Sequence, residues 1–227
     1  MIGFMRGFYS ISEWVLRFAY VNVLWIAFTL LGFVVFGFFP ATLAMFTVVR
    51  KWVLKQTDIP VFKTFWATYK KEFVKGNLLG LIIGLSSFFM YSNIRIVEAT
   101  TVPAFKLLYV PNVIVIMLFL FTLLYIFPVL VHFDVSLKEG VKNSFILMTI
   151  NPIPTFCMAT LTGFLCFIFL KIPGVTPFFS GSIIAFLLMW LSNYVFVKMN
   201  KAADFSLKGP KQKRINFMRI DKRGLKR

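Results

Sequence analysis

The chain has 227 residues, 59% of them hydrophobic, 19% aromatic and only 15% charged, with a formal net charge of +17. A soluble domain is about 45–50% apolar and about 25% charged, so this composition cannot cover a water-facing surface. The excess of 25 lysines and arginines over 8 acids would point a soluble protein toward nucleic acid. Here the basic residues sit at the ends of long apolar blocks, which is how orientation in a bilayer is encoded, and no nucleic-acid partner is expected.

A helix needs about 20 apolar residues to cross a hydrocarbon core about 30 Å thick. The first block that qualifies covers residues 18–39. Arg6 and Arg17 precede it as in a signal peptide, but the block exceeds the roughly 7–15 residues of a cleavable apolar region and no A-x-A site follows. It is expected to be a retained transmembrane helix. Pro40, favoured in the first turn of a helix, then predicts a short helix of about 15 residues, ~22 Å long. It returns across the membrane if packed among neighbours, and otherwise lies on the surface.

Residues 50–75 carry Arg50, Lys51, Lys55, Lys63, Lys70, Lys71 and Lys75 against Asp58 and Glu72. In this stretch Val61, Phe62, Phe65, Trp66, Tyr69 and Phe73 recur every three or four residues among the lysines, the pattern of a surface-lying amphipathic helix. The second, third, fourth and fifth long blocks follow at residues 77–93, 107–131, 152–170 and 178–197, and none of the five contains Asp, Glu, Lys, Arg or His. Between the third and fourth, Val135, Val141, Phe145 and Ile146 alternate with Lys138, Glu139 and Lys142 in a second amphipathic segment. Trp66, Phe73, Lys138, Glu139 and Phe145 are therefore the candidate contacts with a partner or the membrane surface.

The reading is an all-α polytopic transmembrane bundle of five long helices and one short Pro-initiated helix, six in total. Residues 1–200 form the membrane domain and 201–227 a basic cytoplasmic tail. The eleven basic residues from Lys198 onward and those of residues 50–75 place both segments in the cytoplasm by the positive-inside rule. The chain is thus expected to be multi-pass in a cell membrane, its C-terminus inside. The final twenty residues, with nine basic side chains around Phe217, Met218 and Ile220, suit an anionic lipid surface.

Chemistry-bearing motifs are missing. There is no H-E-x-x-H, no G-x-S-x-G, no Walker loop and no acid cluster, so no catalytic, cofactor or metal site is expected and the chain is read as non-enzymatic. His132 and Asp134 sit just past the third block, at its cytoplasmic end, as a pair at the interface. Cys157 and Cys166, nine residues apart, face opposite sides of one helix and are expected to be small apolar fillers. Gly80 and Gly84 form a G-x-x-x-G, and Ala159 and Gly163 a small-x-x-x-small pair, which lets helices approach closely; an oligomeric state does not follow from them. Asn22, Thr29, Ser86, Ser87, Asn112, Thr122, Thr160, Thr162, Ser182, Ser192 and Asn193 are either interhelical bonds or the lining of a polar path.

Two blocks carry a resemblance. FGFFPATLAMFTVVRKWVLKQTDIPVFKTFWATYKKEFVKGNLLG at residues 36–80 and FPVLVHFDVSLKEGVKNSFILMTINP at residues 127–152 resemble the YesL family of small integral membrane proteins from Gram-positive bacteria, over nearly the whole chain. The resemblance implies association with carbohydrate ABC importers, with permease subunits as partners beside the lipid bilayer. It implies no catalytic residues. Two functions follow as expectations: an accessory or assembly subunit of such an importer, or an autonomous small-solute transporter with an uncharged polar path.

Overall fold

The computed structural model describes residues 2–100 and 106–208. The basic tail from residue 209 onward, with Phe217, Met218 and Ile220, lies outside the described residues. Among those described there are eight helices and no strand: α1 (Ile2–Leu31), α2 (Val35–Val53), α3 (Val61–Lys71), α4 (Phe73–Ala99), α5 (Tyr109–Phe133), α6 (Leu137–Ile150), α7 (Pro152–Lys171) and α8 (Thr176–Lys208). Five are long and apolar enough to cross a membrane, over Ile11–Leu31, Phe73–Ala99, Tyr109–Phe133, Pro152–Lys171 and Thr176–Asn200.

The first apolar block is not one helix. It breaks after Leu31, and Phe39 belongs to α2, which starts at Val35 and carries Pro40 inside it. The reason is a tight turn built from apolar residues. Phe33 and Val34 adopt φ of 53° and 65°, and the Val34 amide donates to the Thr29 carbonyl at 2.8 Å. Left-handed backbone is unfavourable for a β-branched side chain, so this valine is held there by its surroundings. Gly37 permits the reversal, because a Cβ on it would lie 2.4 Å from the Thr29 carbonyl oxygen and 2.6 Å from that of Phe28.

With its true start, α2 has 19 residues and is ~28 Å long at about 1.5 Å per residue, close to the thickness of a hydrocarbon core. It is also the centre of the bundle. Every residue from Pro40 to Phe46 is buried, followed by Val48, Val49 and Trp52, and α1, α3, α4, α5 and α8 all pack on it.

Around this hub the helices are joined by a few polar ties. Asn22 of α1 donates through Nδ2 to the Pro177 carbonyl at 2.7 Å and accepts from the Ser182 amide of α8 at 2.9 Å. The Tyr125 hydroxyl of α5 meets Thr155 Oγ1 of α7 at 3.2 Å. Buried hydrogen bonds between apolar helices fix their rotation as well as their separation. The outer helices contribute little to the core: α4 buries Gly76, Leu79 and Val97, and α7 buries Thr155, Met158 and Phe169. Their remaining large side chains, among them Phe88, Phe89, Phe164 and Phe167, are exposed, as lipid as solvent allows. Cys157 and Cys166 are exposed on α7 as well; they fill no gap in the core.

Candidate functional site

The helices that end near one another on the basic side of the bundle enclose a cleft of about 1020 Å³. It is assembled from four walls. Leu43, Thr47, Arg50 and Leu54 come from α2 and the turn after it, Lys71, Glu72 and Lys75 from the α3–α4 joint, residues 130–136 with Glu139, Lys142 and Asn143 from the end of α5 and the start of α6, and Asn193, Phe196, Val197 and Asn200 from α8. A smaller hollow of about 390 Å³ at the other end of α8, between Trp25, Phe169 and Pro177, offers only Thr176 and Ser180 as polar side chains. The large basin is where the chemistry gathers.

Its floor is Arg50. The spacing of Leu43, Thr47, Arg50 and Leu54 keeps all four on one helical face, so the last turns of the buried hub deliver a guanidinium into the cleft. Arg50 Nε donates to His132 Nδ1 at 3.5 Å, which fixes the imidazole with its proton on Nε2. The ring of His132 is flanked by Phe133 and Phe196, at 4.8 and 4.6 Å between centroids. Neither terminal nitrogen of Arg50 has a hydrogen-bond or ion-pair partner among the described residues.

The rim is a chain of ion pairs. Lys71 Nζ lies 3.1 Å from Asp134 and 3.4 Å from Glu72, and Lys75 lies 3.5 Å from Glu72. The hydrogen bond to Asp134 raises the Lys71 ammonium above its ordinary pKa, with some opposition from burial. Asp134 reaches Lys71 because it caps α5 in the left-handed conformation, φ 46°, which aspartate tolerates better than most residues. Ser136 then starts α6 with a capping box: the Glu139 amide donates to Ser136 Oγ at 3.4 Å, and the Ser136 amide to Glu139 Oε2 at 3.3 Å. Lys142 forms no ion pair among the described residues.

This arrangement revises the reading of His132 and Asp134. His132 lies within α5, not beyond it, and the two do not act together: one accepts from Arg50, the other binds Lys71.

The five candidate contact residues fall on α3, α4 and α6, helices that also contribute to the basin. Trp66 is half-buried against Phe28 and Tyr69, at 5.4 and 6.2 Å, with the Lys70 ammonium 4.8 Å above its ring. Phe73 stands edge-on to Tyr69 at 5.6 Å. Across the cleft, Lys138, Glu139 and Phe145 are exposed on α6, and of the five only Glu139 lines the basin. As for the small residues, a Cβ on Gly80 would lie 2.4 Å from the Phe39 ring of α2, whereas Gly84 and Gly163 face open space. Ala159 is half-buried. The eleven polar residues of the spans do not converge: Thr122 and Thr160 bond carbonyls of their own helices at 2.7 and 2.6 Å, Asn22 and Ser182 bond each other, and Asn193 alone lines the basin. Arg50, Asn143 and Asn200 line the basin although the sequence marks none of them as a site residue. The seven-residue spacing of Leu43, Arg50 and Thr47 between them was the available signal.

A protein family described as "Protein of unknown function, DUF624" matches residues 18–94. Three proteins of Bacillus subtilis are similar over most of the chain. YteU is 41% identical over 192 residues, 83% of this chain and 85% of its own. YesL is 40% identical over 197 residues, 86% and 92% of the two chains. YesV is 33% identical over 190 residues, 84% and 91%. All three carry the description "uncharacterized". No solved structure matches.

Proposed function

This chain belongs to the YesL family, and from that premise we propose that it is a non-enzymatic accessory or assembly subunit of a carbohydrate ABC import system. In this reading it sits in the cell membrane with the basin and the basic C-terminal tail on the cytoplasmic side, where the positive-inside rule assigns both. The permease subunits are its partners. The importer enters through the family resemblance; the contact surface rests on the geometry of α6.

The observation that carries the reading is how α6 is mounted. Gly140 lets it lie directly on α5, since a Cβ there would come within 2.3 Å of the Leu130 side chain. Gly140, Ser144, Leu147 and Met148 form the buried face, and Lys138 and Phe145 are exposed outside the basin. A short capped helix at the headgroup level, with an aromatic and a lysine outward, presents a fixed surface that a second membrane protein can read. The rival reading, autonomous transport of a small solute, calls for a polar route through the bundle. Asn22, Thr122, Thr160 and Ser182 are instead bonded to neighbouring helices or to their own, and of the eleven only Asn193 lines the basin, which favours the accessory role.

Deletion of the gene is the test. The expected result is reduced oligosaccharide uptake accompanied by a lower level of the cognate permease in the membrane, restored by the wild-type chain. Full uptake with normal permease abundance removes the proposal.

A further inference from the structure

The basin has properties that a protein-docking role does not use. Four cationic side chains, Arg50, Lys71, Lys75 and Lys142, line it against the carboxylates of Glu72, Asp134 and Glu139. The acids are already engaged: Glu72 with Lys71 and Lys75, Asp134 with Lys71, Glu139 with the start of its own helix. What remains is the free fork of Arg50 on the floor and the unpaired ammonium of Lys142 on the α6 wall. A guanidinium with both terminal nitrogens available is the preferred donor for a tetrahedral or planar oxyanion.

Two further observations identify the anion. The first is depth. Lys75 lies at the start of one candidate span, His132 and Phe133 at the end of another, and Asn200 at the end of a third. Three crossing helices therefore reach the same membrane boundary at the basin, which sets it at the level of lipid headgroups. The second is the lining. Leu43, Leu54, Leu130, Val131, Phe196 and Val197 give the cleft apolar surface beside the cations, where the glycerol and upper acyl chain of an amphiphile find apolar contact. Asn143, Asn193 and Asn200 add donors suited to headgroup hydroxyls.

We infer that the basin binds the phosphate of an anionic phospholipid headgroup, with Arg50 holding the phosphate oxygens and Lys142 supplying the second positive charge. The inference does not depend on the importer reading. His132 is the positioning residue: it takes the Nε hydrogen bond of Arg50, and both terminal nitrogens stay available to the anion.

The test uses the full chain purified in a neutral detergent and titrated with short-chain phosphatidylglycerol, with phosphatidylcholine of the same chain length, and with inorganic phosphate, bound lipid being counted by native mass spectrometry. Wild-type protein is expected to retain phosphatidylglycerol selectively over phosphatidylcholine, and inorganic phosphate is expected not to displace it at equal concentration. Arg50→Gln should weaken retention by about tenfold to a hundredfold, the value of a hydrogen-bonded charged contact. Arg50→Lys should fall between, since it keeps the charge and loses the fork. Lys142→Gln is exposed and leaves the packing intact; it should weaken retention about fivefold, while Lys138→Gln, exposed on the same helix but outside the basin, should change nothing. Those two variants decide the matter if Arg50→Gln does not fold. Equal retention of the two lipids, equal losses in Lys142→Gln and Lys138→Gln, or displacement by free phosphate would each overturn the assignment.

Discussion

Replacing Gly37 by alanine is expected to lower the thermal midpoint of the detergent-solubilised protein by about 5–10 °C, the consequence of roughly 2–3 kcal/mol of overpacking. The added methyl would meet the Thr29 and Phe28 carbonyl oxygens at 2.4 and 2.6 Å. Both are backbone atoms of α1, so no rotamer change relieves the clash. Relief requires the α1–α2 turn to open, which pulls the N-terminal half of α2 from the centre of the core. Gly84→Ala is the control. Nothing lies within 4 Å of a Cβ at that site, and alanine favours a helix over glycine by about 1 kcal/mol, so stability should hold or rise. An unchanged midpoint in Gly37→Ala would mean that the hairpin is looser than described.

Phe65→Ala is expected to detach α3 while leaving the crossing helices intact. Phe65 is fully buried, 5.1 Å from the Phe28 ring, in an aromatic group completed by Tyr69, whose hydroxyl donates to the Phe28 carbonyl at 3.2 Å. Truncating a buried phenylalanine costs about 3–5 kcal/mol. An 11-residue helix is too short to persist without that anchorage. Amide hydrogen exchange over Val61–Lys71 should accelerate by two orders of magnitude or more, with protection of α5 and α8 retained. Global loss of protection would show instead that α3 is integral to the bundle, and no change would show that the aromatic group is redundant.

The fold was legible wherever hydropathy and charge agreed. Four of the long blocks became α4, α5, α7 and α8; α4 extends beyond its block at both ends and α8 runs well past its own, because a helix can continue beyond the hydrocarbon into polar sequence. The two amphipathic segments became α3 and α6. The start of α2 was not legible. Gly32, Phe33, Val34, Val35 and Phe36 are as apolar as the helices on either side, and a turn made by Phe33 and Val34 at positive φ follows no composition rule. Pro40 suggested a helix start, whereas the helix begins five residues earlier.

The basin was harder still to foresee. Arg50 stands next to Lys51 in a run of basic residues whose common reading is topological. Only the packing of α2 as a central helix turns that side chain inward, and packing partners are long-range information. Asp134 and Lys71 are 63 residues apart in sequence, so their pairing had no local signature. The capping box of Ser136 and Glu139 was present in the sequence in its standard spacing and marks the start of α6 more sharply than the amphipathic pattern did.

The proposed role through a membrane partner is tested by affinity capture of the tagged full chain from gently solubilised native membranes, with co-purifying proteins quantified by mass spectrometry. The expected result is recovery of an ABC permease pair in near-equal amounts, and loss of that pair in a Lys138→Glu, Phe145→Ala variant that remains folded. Recovery of the folded wild-type chain alone would contradict it.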